Sequence, residues 1–299
     1  MNTLLFDASL DEALRRKQLY EGQLFVYSPT QNSLALVQLA RELIQDAFGP
    51  MDPETAQFDM PVERFAAVLA DLKPKFIHHA ESKRCIQGIL IELGCDGTKT
   101  YFDVPRMRTA TSDDYLTSGI AYAFHPHRDT WYSAPQCQLN WWIPIFEIES
   151  DRSMALHPRY WSQAVPNSSR NYDYGEWKRT SRLTAAAQIG KDTRVQPRAE
   201  VPLELEPQLR VVAPVGSVLI FSGAHMHSTV PNRTGRTRFS IDFRTINIDD
   251  ARAFRGAPNL DSACTGTTMG DFLQGVDLSQ VPADLISAYE ERGAQLRGA

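Results

Sequence analysis

A chain of 299 residues that is 42% hydrophobic can bury a sizeable core, and its net charge of −5 argues against nucleic acid or an anionic membrane surface as the main partner. Its four cysteines, Cys85, Cys95, Cys137 and Cys264, contain no CxxC pair. That spacing is a poor zinc framework and a poor disulfide scaffold, and it argues for reduced thiols.

The first residues, Met1 to Asp7, lack a basic stretch followed by an apolar one, and no apolar run approaches the roughly 18 residues of a membrane span. The expectation is a soluble, cytoplasmic protein. A helix is predicted over 10–24, with Asp11 placed to begin it. A second covers 32–48, where Leu34, Leu36, Val37, Leu39, Ala40, Leu43, Ile44 and Phe48 make an apolar stripe that Gly49-Pro50 ends. A third covers 61–72, opened by Pro61.

The texture changes near residue 85. Residues 86–93 are rich in isoleucine, end at Gly94 and predict a strand. Further strands are predicted over 98–104, 119–124, 138–148, 209–212, 217–222 and 237–248. Many short strands without intervening helices point to a sandwich or barrel rather than a parallel sheet. Residues 162–200 are polar and aperiodic, a candidate lid. A last amphipathic helix covers 283–297. The reading is one domain over 1–299: a helical part to about 84, a β core over 85–248 carrying the 162–200 insertion, and a helical tail over 249–299.

Two histidine clusters carry the chemistry, His125-Pro126-His127-Arg128-Asp129 and His225-Met226-His227. Alternate residues of an extended segment share a face, so His127 and Asp129 can act together. With one distant histidine they make a facial triad, which leaves open metal positions and suits iron(II). The HExxH pattern of zinc hydrolases is absent. His225 competes with His227 as the distal ligand. His125 has no carboxylate two places on. Downstream, Arg238 offers a fork for a carboxylate, and Thr229 a hydroxyl. Taken alone, each of these residues is read as easily as a structural histidine or a surface salt bridge.

Together the motifs resemble the phytanoyl-CoA dioxygenase-like branch of the iron(II)/2-oxoglutarate oxygenases. The resemblance rests on His127-Arg128-Asp129, Trp142-Ile143-Pro144-Ile145, Gly216 to Phe221, then His227, Thr229, Pro231, Asn232 and Arg238. It spans about residues 85–248. It implies a mainly β fold, a double-stranded β-helix (a cupin-like jelly roll) with N-terminal and C-terminal helices. It implies iron(II) on His127, Asp129 and His227, which are then both the metal and the catalytic residues. It also implies 2-oxoglutarate as cosubstrate, anchored by Arg238 and Thr229 with Trp142 on the same side, and O2 as oxidant. The implied reaction is hydroxylation of an unactivated C–H bond, with succinate and CO2 as co-products. Iron-dependent halogenases of this superfamily carry a small residue where Asp129 stands, so Asp129 favours oxygen transfer, with desaturation or ring formation left open.

The chain departs from the family pattern over Asp151 to Tyr160, where relatives carry Gly-Pro-Leu and Pro-Gly-Ser-His. An acyl-CoA substrate is therefore not supported. The expected partner is a small-molecule substrate, such as a specialised metabolite, with a homodimer left open. Trp131, Tyr132, Trp141 and Trp142 are pocket or core candidates. Arg106, Arg108 and Arg244 are candidates for an anionic substrate or for salt bridges. Two other readings stay open: a cupin-type metal isomerase or hydrolase without cosubstrate, and a non-catalytic β-sandwich binding module.

Overall fold

The structure is a computed structural model and describes residues 3–298. Strand β1 (Leu4–Phe6) precedes helix α1 (Glu12–Tyr20). Asp11 caps α1 by accepting from the amides of Ala13 and Leu14 at 2.9 and 3.2 Å, satisfying donors the helix itself leaves free. The helix stops at Tyr20, short of the expected 24, because β2 (Leu24–Tyr27) joins a sheet. Helix α2 (Gln31–Phe48) opens on a Thr30–Ser33 capping box and ends at Gly49, which takes a positive φ of 63°. Helix α3 (Val62–His78) runs through Pro74.

Residues 86–93 do not form the expected strand. They belong to α4 (Ala80–Glu92). Cys85, Ile86, Ile89 and Leu90 are buried at helical spacing and pack with α2 and α3 in one core. A run rich in isoleucine hid that period, and burial on one helix face decided the structure.

Strands β3 (Thr100–Phe102) and β4 (Arg106–Ala110) follow. The strand expected over 119–124 is absent. Gly119–Ala121 is a short 3-10 turn instead. Gly119 has a φ of 58°, and a Cβ there would meet the Ala185 carbonyl oxygen at 2.3 Å, so only glycine fits this close approach. The remaining elements are β5 (Leu139–Pro144), β6 (Met154–Leu156), α5 (Tyr174–Thr180), β7 (Leu209–Arg210), β8 (Val218–Ser222), β9 (His227–Thr229), β10 (Arg238–Asn247), α6 (Ile248–Arg252), β11 (Leu273–Gln274) and α7 (Ala283–Gly298).

The larger sheet has the order β1-β2-β8-β5-β10-β3-β11, with β4 pairing the first half of β10 beside β3. It is mixed, since β1 and β2 are parallel and the other pairs antiparallel. A smaller sheet has the order β7-β6-β9.

The pleat assigns alternate residues to opposite faces. Phe25, Leu139, Trp141, Ile143, Ile220, Phe239, Ile241 and Phe243 face α2, α3 and α4 and make the main core. Phe48 ties helices to sheet, with its ring 5.4 Å from Phe65 and 6.0 Å from Phe239. On the other face, Leu24, Val26, Trp142, Leu219 and Phe221 pack against Leu156 and Val211 of the smaller-sheet layer. Between these layers a cavity of about 390 Å³ stays open. Among the described residues, no helix is long and apolar enough to cross a membrane.

Candidate metal centre

His127 and His227 meet through their backbones. Each amide donates to the other's carbonyl, at 3.0 and 2.9 Å, in an isolated antiparallel bridge. Their rings lie 4.3 Å apart between centroids. Asp129 sits two residues on, where its amide donates to the Gly223 carbonyl and a 3-10 turn, Asp129–Tyr132, begins. The extended segment anticipated for His-x-Asp is thus cut short at Asp129, yet the three side chains converge. Asp129 Oδ1 lies 3.5 Å from His127 Nε2 and 3.7 Å from His227 Nε2. All three side chains are buried, and one donor atom from each falls within 4.8 Å of the others, close enough to hold one metal ion.

Two carboxamides, both unforeseen as site residues, hold the carboxylate. Gln138 Nε2 and Asn140 Nδ2 each donate to Asp129 Oδ2 at 2.9 Å, which leaves Oδ1 facing the imidazoles. Arg244 Nε lies 3.8 Å from Oδ2. Burial alone would raise the Asp129 carboxyl; the facing imidazoles in their protonated form, His127 first, and the Asn140 hydrogen bond lower it to about 2. The signal for these residues was a Gln-x-Asn pair on one face just ahead of Trp141 and Trp142.

Each triad imidazole is oriented from behind. His127 Nδ1 bonds the His125 carbonyl at 2.8 Å and His227 Nδ1 bonds the His225 carbonyl at 2.9 Å. A carbonyl can only accept, so the ring proton sits on Nδ1 and the Nε2 lone pair faces Asp129. Burial, reinforced by His127, lowers His227 to about 4, which keeps it neutral and able to ligate. His225 points elsewhere. Its Nε2 bonds the Gly22 carbonyl at 3.1 Å and its ring lies 4.4 Å from Trp161. His227 is therefore the distal member of the cluster, and the carbonyls of His125 and His225 support the ligands.

Arg238, Thr229 and Trp142 line the same cavity as the triad. Arg238 is buried and makes no ion pair among the described residues. Its Nη1 donates to the Ser153 carbonyl at 2.6 Å, its Nε has no partner, and its guanidinium lies 5.9 Å over the Trp142 ring. Burial drives its pKa down to about 10. Asp242 offsets this only from a distance, and a buried guanidinium that no carboxylate contacts is costly, so the surface salt bridge is excluded and a carboxylate ligand would relieve it. Thr229 Oγ1 accepts from the Phe124 amide at 3.2 Å.

The other candidates divide. Trp141 stacks on Phe243 at 5.3 Å with its Nε1 on Thr245 Oγ1, and Trp131 is buried with its Nε1 on Asp261, so both serve mainly to pack. Tyr132 reaches the cavity. Arg106 pairs with Asp103, Arg108 with Asp242 at 2.6 Å, and Arg244 with Asp103 at 3.0 Å, all beside the cavity. The 162–200 segment contributes Tyr172, Tyr174, Trp177, Arg182 and Arg194 to the lining.

No family model matches the chain, and no curated protein does. Among solved structures, the chain is similar to the apo form of the non-heme monooxygenase ThoJ, with 12% identity over 91% of this chain and 92% of that one at a TM-score of 0.40. It is similar to EvdO2 from Micromonospora carbonacea var. aurantiaca complexed with 2-oxoglutarate, with 12% identity over 80% and 92% of the chains at 0.45. A third is the epimerase SnoN in complex with Fe3+, alpha ketoglutarate and nogalamycin RO, with 12% identity over 79% and 85% at 0.39.

Proposed function

We propose that the chain is an iron(II)- and 2-oxoglutarate-dependent dioxygenase that hydroxylates an unactivated C–H bond of a small molecule. In this reading the two sheets are the walls of a double-stranded β-helix. The observation that carries the reading is the pairing, in one cavity, of a two-histidine, one-carboxylate cluster with a buried arginine that makes no ion pair among the described residues.

The residues fit the groups. Two neutral imidazoles and one carboxylate are the donor set for non-haem iron(II), and three ligands leave positions free for other molecules. His127, Asp129 and His227 would hold the iron. Arg238 would bind the far carboxylate of 2-oxoglutarate, with Trp142 under the guanidinium and the Thr229 hydroxyl as a further donor. Iron with 2-oxoglutarate supplies the oxidising power, releasing succinate and CO2. The chain's own part is to bind, orient and exclude water. The backbone bridge between His127 and His227 sets the ring spacing, and Gln138 and Asn140 fix Asp129. Arg238 on the triad's cavity, with no ion pair among the described residues, suits a carboxylate cosubstrate, so the cosubstrate reading is preferred.

The test is to add 2-oxoglutarate to the anaerobic iron(II) protein. A visible charge-transfer band, followed by succinate once oxygen is admitted, is expected. Absence of both would overturn the proposal and return the other metal-enzyme and binding-module readings.

A further inference from the structure

The substrate end of the cavity has an unbalanced charge. Arg108 reaches Asp242 through Nε and Nη2, at 2.6 and 3.1 Å, and its Nη1 has no partner among the described residues. Arg244 Nη2 also leans on Asp242, at 3.5 Å, while Asp103 is shared by Arg106 and Arg244. Lys73 projects from α3 into the same cavity, where its ammonium donates to the Ile120 carbonyl and makes no ion pair among the described residues. These cations outnumber the carboxylates among them. Burial and the Arg108 charge lower Lys73 to about 7, and Asp242 offsets them only in part.

The location is specific. The Arg108 guanidinium lies 5.2 Å from the Phe124 ring centre, and that ring stacks on His127 at 5.0 Å. One phenyl ring thus separates the positive end from the metal cluster. Tyr122 packs edge-on against Phe124 at 4.9 Å, and Tyr132 against Tyr172 at 5.4 Å, so the walls beside it suit a flat apolar body.

We propose that the substrate has an apolar body and an anionic group, a carboxylate or a phosphate, and that Lys73 and Arg108 bind that group across Phe124 from His127. The proposal rests on the dioxygenase reading in taking Arg238 as the cosubstrate's anchor, which leaves Lys73 and Arg108 to the substrate.

The experiment uses the full chain with manganese(II) in place of iron and N-oxalylglycine in place of 2-oxoglutarate. Calorimetry then compares 3-phenylpropanoate, phenyl phosphate, 3-phenylpropanamide and 3-phenylpropylamine. Binding by an anion and not by the amide or amine is expected, and whichever anion binds more tightly names the group. Lys73→Met should weaken that anion by roughly tenfold or more, the worth of one charge-assisted hydrogen bond, while Lys73→Arg retains it. Melting curves check that both variants fold. Equal binding of amide and anion, no binding by either anion, or an unchanged affinity in Lys73→Met would overturn the proposal. Affinity for N-oxalylglycine, measured first on the same protein, reports separately on the cosubstrate site. Its failure beside Lys73-dependent anion binding would sink only the dioxygenase reading.

Discussion

Asn140 donates from Nδ2 to Asp129 Oδ2 at 2.9 Å, and with Gln138 it settles which carboxylate oxygen faces the imidazoles. Asn140→Leu should lower affinity for iron(II) or cobalt(II) about 10- to 100-fold, the usual cost of losing a partner that orients a ligand. A metal titration checks this. Unchanged affinity would show that Asp129 is held in place without it.

Asp129→Gly removes the only carboxylate of the cluster. Hydroxylation should be abolished and metal affinity reduced. Full turnover in this variant, followed by succinate release, would refute the ligand assignment.

Arg238→Met should raise the KM for 2-oxoglutarate at least about tenfold, because a charge-assisted contact to a carboxylate is worth about 1.5–3 kcal/mol. Iron binding should persist, since among the described residues Arg238 hydrogen-bonds the Arg152 and Ser153 carbonyls and none of the triad. Steady-state kinetics beside a metal titration separate the two effects.

Gly256 has no room for a side chain. A Cβ there would meet the Gln136 backbone at 2.3 Å and the Cys137 amide at 2.6 Å. Gly256→Ala should cost about 1–3 kcal/mol in denaturant unfolding, the range for overpacking a rigid contact. The displaced backbone leads directly into Gln138, so metal affinity should fall as well.

Residues 181–190 carry Arg182 and Ala185 to the cavity and the Ala185 and Gln188 carbonyls against Gly119. Replacing them with a short glycine-serine linker should raise the KM for the primary substrate and leave iron binding intact. Unchanged kinetics would dismiss this stretch as a lid.

The triad was legible because a His-x-Asp pair and a distal histidine are local patterns, and their downstream neighbours Thr229 and Arg238 also reach the cavity. Asp11 at the start of α1 and Gly49 at the end of α2 were legible for the same reason. What escaped depends on partners far along the chain. The three-residue strands β6 and β9 are too short to carry a period and exist by pairing with one another. Gln138 and Asn140 have a role only once Asp129 is placed beside them. Arg106, Arg108 and Arg244 look alike in sequence, and only the placement of β10 beside β4 and Asp103 gives Asp242 to Arg108 and Asp103 to Arg244. The helix at 80–92 was lost because the end of its buried stripe lies inside an isoleucine-rich run, Ile86 to Leu93, whose β-branched residues suggest a strand.

Strand β10 divides its residues by parity. Phe239, Ile241 and Phe243 build the core, while Arg238, Asp242 and Arg244 line the cavity. Strand β5 divides likewise, with Asn140 and Trp142 inward and Leu139 and Ile143 behind them. Selection can therefore retype the binding wall one alternate position at a time while the scaffold stays untouched. A single-residue insertion or deletion in β10 would do the reverse, exchanging charge for hydrocarbon along the whole strand and losing fold and chemistry together.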